Sequence, residues 1–188
     1  MEELLHLDRE LFLYLNGLGT PAWDNLWQFV SHKLSSVPLY VFLLVIAHWK
    51  LGLKNTLWAV VAVALLITVS DQLSNFFKLG VARPRPCHDG SLMEVMRLVK
   101  SRCGGKYGYF SAHASNSFAL AVFFGSLLKP HFKGLLPALL VWAAFVAYSR
   151  IYLGVHFPLD IVTGALVGAF FGALFARLFN FARLRFLS

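Results

Sequence analysis

Trp58-Ala-Val-Val-Ala-Val-Ala-Leu-Leu-Ile-Thr-Val69 contains no charged residue, and its reading decides the fold. Its apolar character continues over a window from Thr56 to Phe77. At about 1.5 Å per residue a helix of that length crosses the ~30 Å hydrocarbon core of a bilayer. Four more windows share this character: Trp27–Trp49, Ser111–Leu128, Gly134–Val155 and Pro158–Phe179. The last contains Gly164-Ala-Leu-Val-Gly-Ala-Phe-Phe-Gly-Ala-Leu-Phe-Ala176, whose small residues let neighbouring helices approach closely. The expected fold is all-α, a polytopic membrane helical bundle with five transmembrane helices. A soluble bundle would need polar helix faces that these runs lack.

Composition agrees. The 188 residues are 58% hydrophobic and 14% charged, with mean hydropathy +0.65; soluble domains carry about a quarter charged residues. This excludes a disordered chain. With 18 Phe and 5 Trp it also argues against a water-soluble nucleic-acid-binding domain, despite a net charge of +8. Residues 1–188 read as a single domain without internal repeats.

Residues 1–20 differ from the spans. Leu4, Leu5, Leu7, Leu11, Phe12, Leu15 and Leu18 recur at helical spacing, with Glu2, Glu3, Asp8, Arg9 and Glu10 between them. The pattern predicts an amphipathic helix in the membrane interface, ending at Asn16-Gly17; a short sixth span is the alternative. The segment lacks the basic start and cleavage site of a signal peptide.

Basic residues favour the cytoplasmic ends of spans. Lys50 and Lys54, Lys129 and Lys133, and Arg177, Arg183 and Arg185 all fall on one side of a five-span arrangement. The N-terminal segment, the loop over residues 79–110 and the turn at His156-Phe157-Pro158 fall on the other, outward side. That loop carries Arg83, Arg85, Arg97, Lys100, Arg102 and Lys106 against only Asp89 and Glu94. So many translocated cations imply an anionic partner or a basic face against lipid headgroups. Its length predicts function or partial helix, with Ser91–Val99 as the candidate helix.

Three clusters sit at the outward ends of spans. Lys78, Arg83-Pro84 and Arg85-Pro86 place three cations within eight residues, which suits an anion or simple stop-transfer anchoring. Phe110-Ser111-Ala112-His113 offers an N-cap whose helix start presents free N–H groups to an anion. In Ser149-Arg150 through His156 to Asp160, the arginine lies within a span, where an ionisable side chain is functional by default. Asp160 stands four residues after His156 and can orient its ring. Asp71 needs a buried partner, and Ser74, Asn75 or a basic residue could serve. Together these residues form a phosphate site in which one histidine attacks phosphorus and the other protonates the leaving oxygen. There is no GxxxxGK[ST] loop and no metal-ligand cluster, so no cofactor is expected.

These residues resemble the motifs of the type 2 phosphatidic acid phosphatase family, which also includes vanadium haloperoxidases and glucose 6-phosphatases. Lys78, six residues, then Arg85-Pro86 matches the first motif; Ser149-Arg150, His156 and Asp160 match the third. Ser111-Ala112-His113 matches the middle motif in part, with Ala112 where the family has glycine. The resemblance covers about Asp71 to Phe179. It implies that His156 is the nucleophile, Asp160 its orienting partner and His113 the general acid, then the base. It also implies that Lys78, Arg85, Ser111, Arg150 and the Ala112 N–H hold the phosphate, without a metal. Arg83 is an extra cation that could take a second phosphate or a headgroup.

Alanine resists backbone angles that glycine allows, so a positive φ at Ala112 would impair the site. Cys87 and Cys103 form a candidate disulfide in an oxidising compartment, worth about 3 kcal/mol by loop entropy, or remain two free thiols. The expected protein is an integral membrane lipid phosphatase, in a bacterial inner membrane with its site facing the periplasm. Undecaprenyl diphosphate is the first-choice substrate, with lipid A phosphate and phosphatidylglycerophosphate as rivals. Lipid-to-lipid phosphotransfer and a non-catalytic anion-binding transporter are the alternatives. The lipid bilayer is a partner; the oligomeric state is left open.

Overall fold

The computed structural model of the protein describes residues 2–100 and 103–186, so Arg102 of the basic loop lies outside the described residues. The chain forms α1 (Glu2–Gly17), α2 (Asp24–Ser31), α3 (Val37–Val81), α4 (Ala112–Leu127), α5 (Leu135–Tyr152) and α6 (Pro158–Phe186). Short 3-10 turns occupy Pro21–Trp23, Lys33–Ser36 and Pro86–His88. Among the described residues there is no strand; one isolated bridge pairs Pro84 with Tyr107.

Three helical stretches are long and apolar enough to cross a membrane: Lys33–Val81, Leu135–Tyr152 and Pro158–Arg185. The first absorbs two expected spans. A straight helix of 45 residues would run about 67 Å. Gly52 prevents this with φ 80 and ψ 166, angles an L side chain resists, and it divides α3 into residues 37–51 and 53–81. The two arms fold back together: Leu43 of the first shares a core cluster with Ala59 and Leu66 of the second. Lys50, beside the break, lies 5.8 Å from the Phe132 ring in the turn between α4 and α5.

The expected span Trp27–Trp49 is not one helix. It ends at Ser31, His32 turns extended, and a new helix begins at Val37 with Pro38 in its first turn. Proline has no N–H to continue the earlier helix but suits a helix start. Helix α4 is central: Ala119, Leu120, Phe123, Phe124 and Leu127 of its apolar second half are all buried. It packs against α6 through a stripe of glycines. A Cβ added at Gly164, Gly168 or Gly172 would lie within 2.6 Å of the carbonyl oxygen of Ser111, Ser115 or Ala119 respectively. Leu166, Phe170, Leu174 and Leu178 of α6 are exposed, the face a bilayer would cover.

Helix α1 reverses the expected sidedness of an amphipathic helix. Leu4, Leu7, Leu11, Tyr14 and Leu18 are exposed, whereas Asp8, Phe12 and Asn16, four residues apart, are buried. The outward leucines suit a membrane interface. The inward polar groups satisfy backbone at the ends of two other helices. Asp8 Oδ1 accepts from Leu159 N in the first turn of α6 at 2.8 Å. Asn16 Nδ2 donates to the carbonyls of Ile151 and Tyr152, which end α5, at 3.1 Å each. Phe12 meets Phe157 edge-to-face at 5.3 Å.

The loop after α3 is folded down at both ends. Arg85 N donates to Lys106 O at 3.0 Å and Gly108 N to Arg83 O at 2.9 Å. Cys87 and Cys103 are bonded, with Cα atoms 6.0 Å apart. The expected helix over Ser91–Val99 is instead a run of turns. The Asp89 carboxylate, accepting from Ser91 N and Oγ, competes for the local backbone, and Leu92 is pulled into the cluster of Phe12, Ile151 and Phe157.

Candidate active site

Five segments deliver the polar groups to one end of the bundle. Lys78 lies in the last turn of α3 and Arg150 in the last turn of α5. Ala112 and His113 open α4, where Ser111 Oγ accepts from Ala114 N. His156 lies in the turn before α6. That turn depends on Gly154, whose φ is +77 and whose added Cβ would meet Met96 Cε and Arg97 O at 2.6 and 2.7 Å. Arg85 reaches in from the loop, its Nε donating to Tyr107 O at 3.2 Å.

Lys78, Arg85, Ala112, His113, Arg150 and His156 line one cavity of about 690 Å³. The His156 ring is held from behind. Its Nδ1 lies 3.2 Å from Asp160 Oδ2, which also accepts from Phe157 N at 3.1 Å. A carboxylate only accepts, so Nδ1 carries the proton and Nε2 keeps its lone pair. Burial first, then the charges of Arg85, Arg150 and Lys78, pushes this imidazole well below its ordinary pKa. The ring is therefore neutral near pH 7, the form a nucleophile needs.

Arg150 is buried and donates from Nη1 to Ser31 Oγ, while its Nε has no partner among the described residues. An unpaired donor beside a cavity is costly until a ligand fills the place. Ser111 does not line the cavity; it caps α4, and its N–H donates to Asp160 O at 3.0 Å. Ala112 and His113, the first residues of α4, do line the cavity, and a helix start leaves such N–H groups without intrahelical partners. Ala112 has a negative φ: the one non-glycine residue with positive φ among the described residues is Ala82. The alanine thus carries no backbone strain, and its methyl group adds to the cavity wall.

Arg83 is placed differently from the other motif cations. Its Nη1 donates to Asp160 Oδ1 at 3.1 Å and its Nη2 to Asp8 Oδ2 at 2.6 Å, with Phe157 4.1 Å beneath the guanidinium. It lies outside the cavity lining, and both of its ends are already satisfied by carboxylates. Its geometry fits holding Asp160, which holds His156. Arg97 is likewise paired, its Nη2 donating to both carboxylate oxygens of Asp24 at 3.0 Å. Two of the unexpected loop cations are thus neutralised within the protein.

Several groups at the site escaped the motif reading. Gly108 packs against the histidine–aspartate pair: an added Cβ would lie 3.0 Å from Arg85 Cγ, 3.1 Å from Asp160 Oδ2 and 3.5 Å from His156 Nδ1. Asp71 pairs with Asn116, whose Nδ2 donates at 2.9 Å, and not with Ser74, which donates to Phe110 O. Asp8 and Ser31 lie far from the motifs in sequence, and no local spacing marks them; Asn116 lies one helical turn after His113.

Residues 55–184 match the PAP2 superfamily. The lipid A 4'-phosphatase of Porphyromonas gingivalis is 37% identical, over 100% of this chain and 79% of that protein. The structure resembles that of Aquifex aeolicus LpxE, with a TM-score of 0.65 and 27% identity over 91% of this chain and 95% of that one. It also shares its fold with a transmembrane PAP2 type phosphatidylglycerolphosphate phosphatase from Bacillus subtilis. There the TM-score is 0.75 and the identity 19%, over 99% of this chain and 90% of that one.

Proposed function

Because the chain belongs to the PAP2 superfamily, we propose that this integral membrane lipid phosphatase cleaves the phosphate ester of a lipid A-type substrate at the periplasmic face, through a phosphohistidine on His156. The observation that carries the reading is a polarity gradient shared by three cavity walls. Along the second arm of α3, Lys78, Asn75 and Asp71 give way to Ile67, Val63 and Val60. Along α4, His113 and Asn116 give way to Leu120 and Phe124; along the first arm of α3, Ser36 and Tyr40 give way to Leu44. Such a cavity suits a molecule with phosphate at one end and an apolar chain at the other.

The placement of the groups supports the following reaction. His156 Nε2 attacks phosphorus; as the N–P bond forms, the ester P–O bond breaks and its electron pair leaves with the lipid oxygen. His113 donates the proton that oxygen requires. Lys78, Arg85, Arg150 and the N–H groups opening α4 stabilise charge on the non-bridging oxygens. His113 then takes a proton from water, the oxygen bonds phosphorus, and the N–P electron pair returns to His156. The scheme uses no metal.

The similarity to a lipid A 4'-phosphatase favours lipid A over undecaprenyl diphosphate, the first choice from the sequence. The periplasmic orientation is supported by topology: Lys50, Lys54, Lys129, Lys133 and the arginines late in α6 all lie at the helix ends away from the site. The test is phosphate release in detergent with EDTA from lipid A, undecaprenyl diphosphate and phosphatidylglycerophosphate. Release that survives EDTA, is fastest with lipid A and is lost in His156→Ala supports the reading. A different preferred lipid would overturn the substrate assignment, and release in His156→Ala the mechanism.

A further inference from the structure

The cavity has a second lobe, of about 640 Å³, that shares Ser31, His32, Lys33 and His113 with the first and is bounded by the 3-10 turn after α2. Lys33, from that turn, and Lys100, from the loop, line it. Both side chains are exposed. Neither ammonium has a hydrogen-bonding or ion-pairing partner among the described residues. Other cations near the site fare differently, since Arg83 and Arg97 are matched by carboxylates.

Charge bookkeeping makes the surplus plain. Lys33, Lys78, Arg85, Arg150 and Lys100 line the two lobes, against Asp71 as the single carboxylate. A phosphate monoester brings about two negative charges. Lys78, Arg85 and Arg150 already surround the position where it would sit, so Lys33 and Lys100 remain uncompensated. Their crowding is felt at Lys100, whose ammonium is pushed below its ordinary pKa by partial desolvation in the lobe and then by the charges of Arg150, Arg85 and Lys33. An arrangement of like charges with no internal counter-ion is relieved by a second anion.

We infer that Lys33 and Lys100 form a subsite for a second phosphate of the same substrate, beside the phosphate that His156 attacks. The inference rests on the phosphatase reading and deepens it: the protein would select lipids that carry two phosphates over those that carry one. Lysine suits this task because its flexible point charge tolerates variation in where the second phosphate lies. The second phosphate has two sources, the adjacent phosphate of a diphosphate or a remote phosphate on a sugar headgroup.

The experiment compares matched substrates in neutral detergent, which removes any anionic bilayer. One pair is undecaprenyl monophosphate and diphosphate; the other is lipid A with one phosphate and with two. Lys33→Gln/Lys100→Gln is expected to lower the two-phosphate to one-phosphate ratio of kcat/KM by about tenfold or more, through KM. The pair in which the ratio falls identifies the source. Binding of the same pairs to His156→Ala gives a readout that needs no turnover. An unchanged ratio in both pairs, by kinetics and by binding, would overturn the subsite. Absence of hydrolysis with selective binding intact would instead overturn the phosphatase reading alone.

Discussion

Asp160 and Asp8 are both buried carboxylates, and one guanidinium, that of Arg83, joins them. They come from opposite ends of the chain and do different work. Asp160 touches the ring of His156, a group that would react. Asp8 touches only groups that hold others: Arg83 and the first turn of α6. The same division runs through the molecule. Residues from Lys78 onward supply the cations and histidines around the phosphate position. The first 36 residues supply, besides Lys33, the groups Asp8, Asn16, Asp24 and Ser31, which fix those elements in place. A reactive centre needs several groups at set spacings; its scaffold needs one partner per loose end, from anywhere in the chain.

Substitutions should separate the two regions. The largest effect is expected for His156→Ala, a loss of at least about 10⁴-fold in kcat, with the melting temperature little changed. Gly108→Ala comes next. Its methyl group would intrude between Arg85 and the His156–Asp160 pair, and a displacement of that kind costs about 10²-fold in kcat. Stopped assays with KM measured separately would show whether kcat carries the loss.

Asp8→Ala should act the other way round. It leaves Arg83 with one carboxylate and the Leu159 N–H without its acceptor. Breaking a buried ion pair by removing one partner costs about 3–5 kcal/mol, to be read as a lowered melting temperature in detergent. Activity measured on the folded fraction should fall less than for Gly108→Ala. If Asp8→Ala instead abolished turnover without loss of stability, the division between the two regions would be wrong. The smallest effect is expected for Ala112→Gly. Because Ala112 already has a helical backbone, restoring glycine should change kcat/KM by less than about threefold, since no strain is relieved.

The sequence made the apolar spans visible through their length and lack of charge, and the reacting groups through motif spacing. Lys78, Arg85, His113, Arg150 and His156 do converge on one cavity. Three features were not legible. The Trp27–Trp49 window is as apolar as a span, yet Pro38 and the extended His32 divide it, and hydropathy does not register either. Residues 1–20 showed a helix but not which face turns inward, because the buried Asp8 and Asn16 answer to backbone ends elsewhere. Arg83 read as a phosphate ligand because its motif neighbours do; its carboxylate Asp8 lies 75 residues away, beyond the reach of local spacing.

The central claim is that His156 becomes covalently phosphorylated while His113 handles protons. The most direct measurement uses a lipid A substrate labelled with ³²P at the hydrolysed phosphate and the His113→Ala protein, quenched in alkali, where phosphohistidine survives. The account predicts label on the protein that maps to His156 and is absent from His113→Ala/His156→Ala. Release of phosphate with no labelled protein, or label on any other residue, would contradict it.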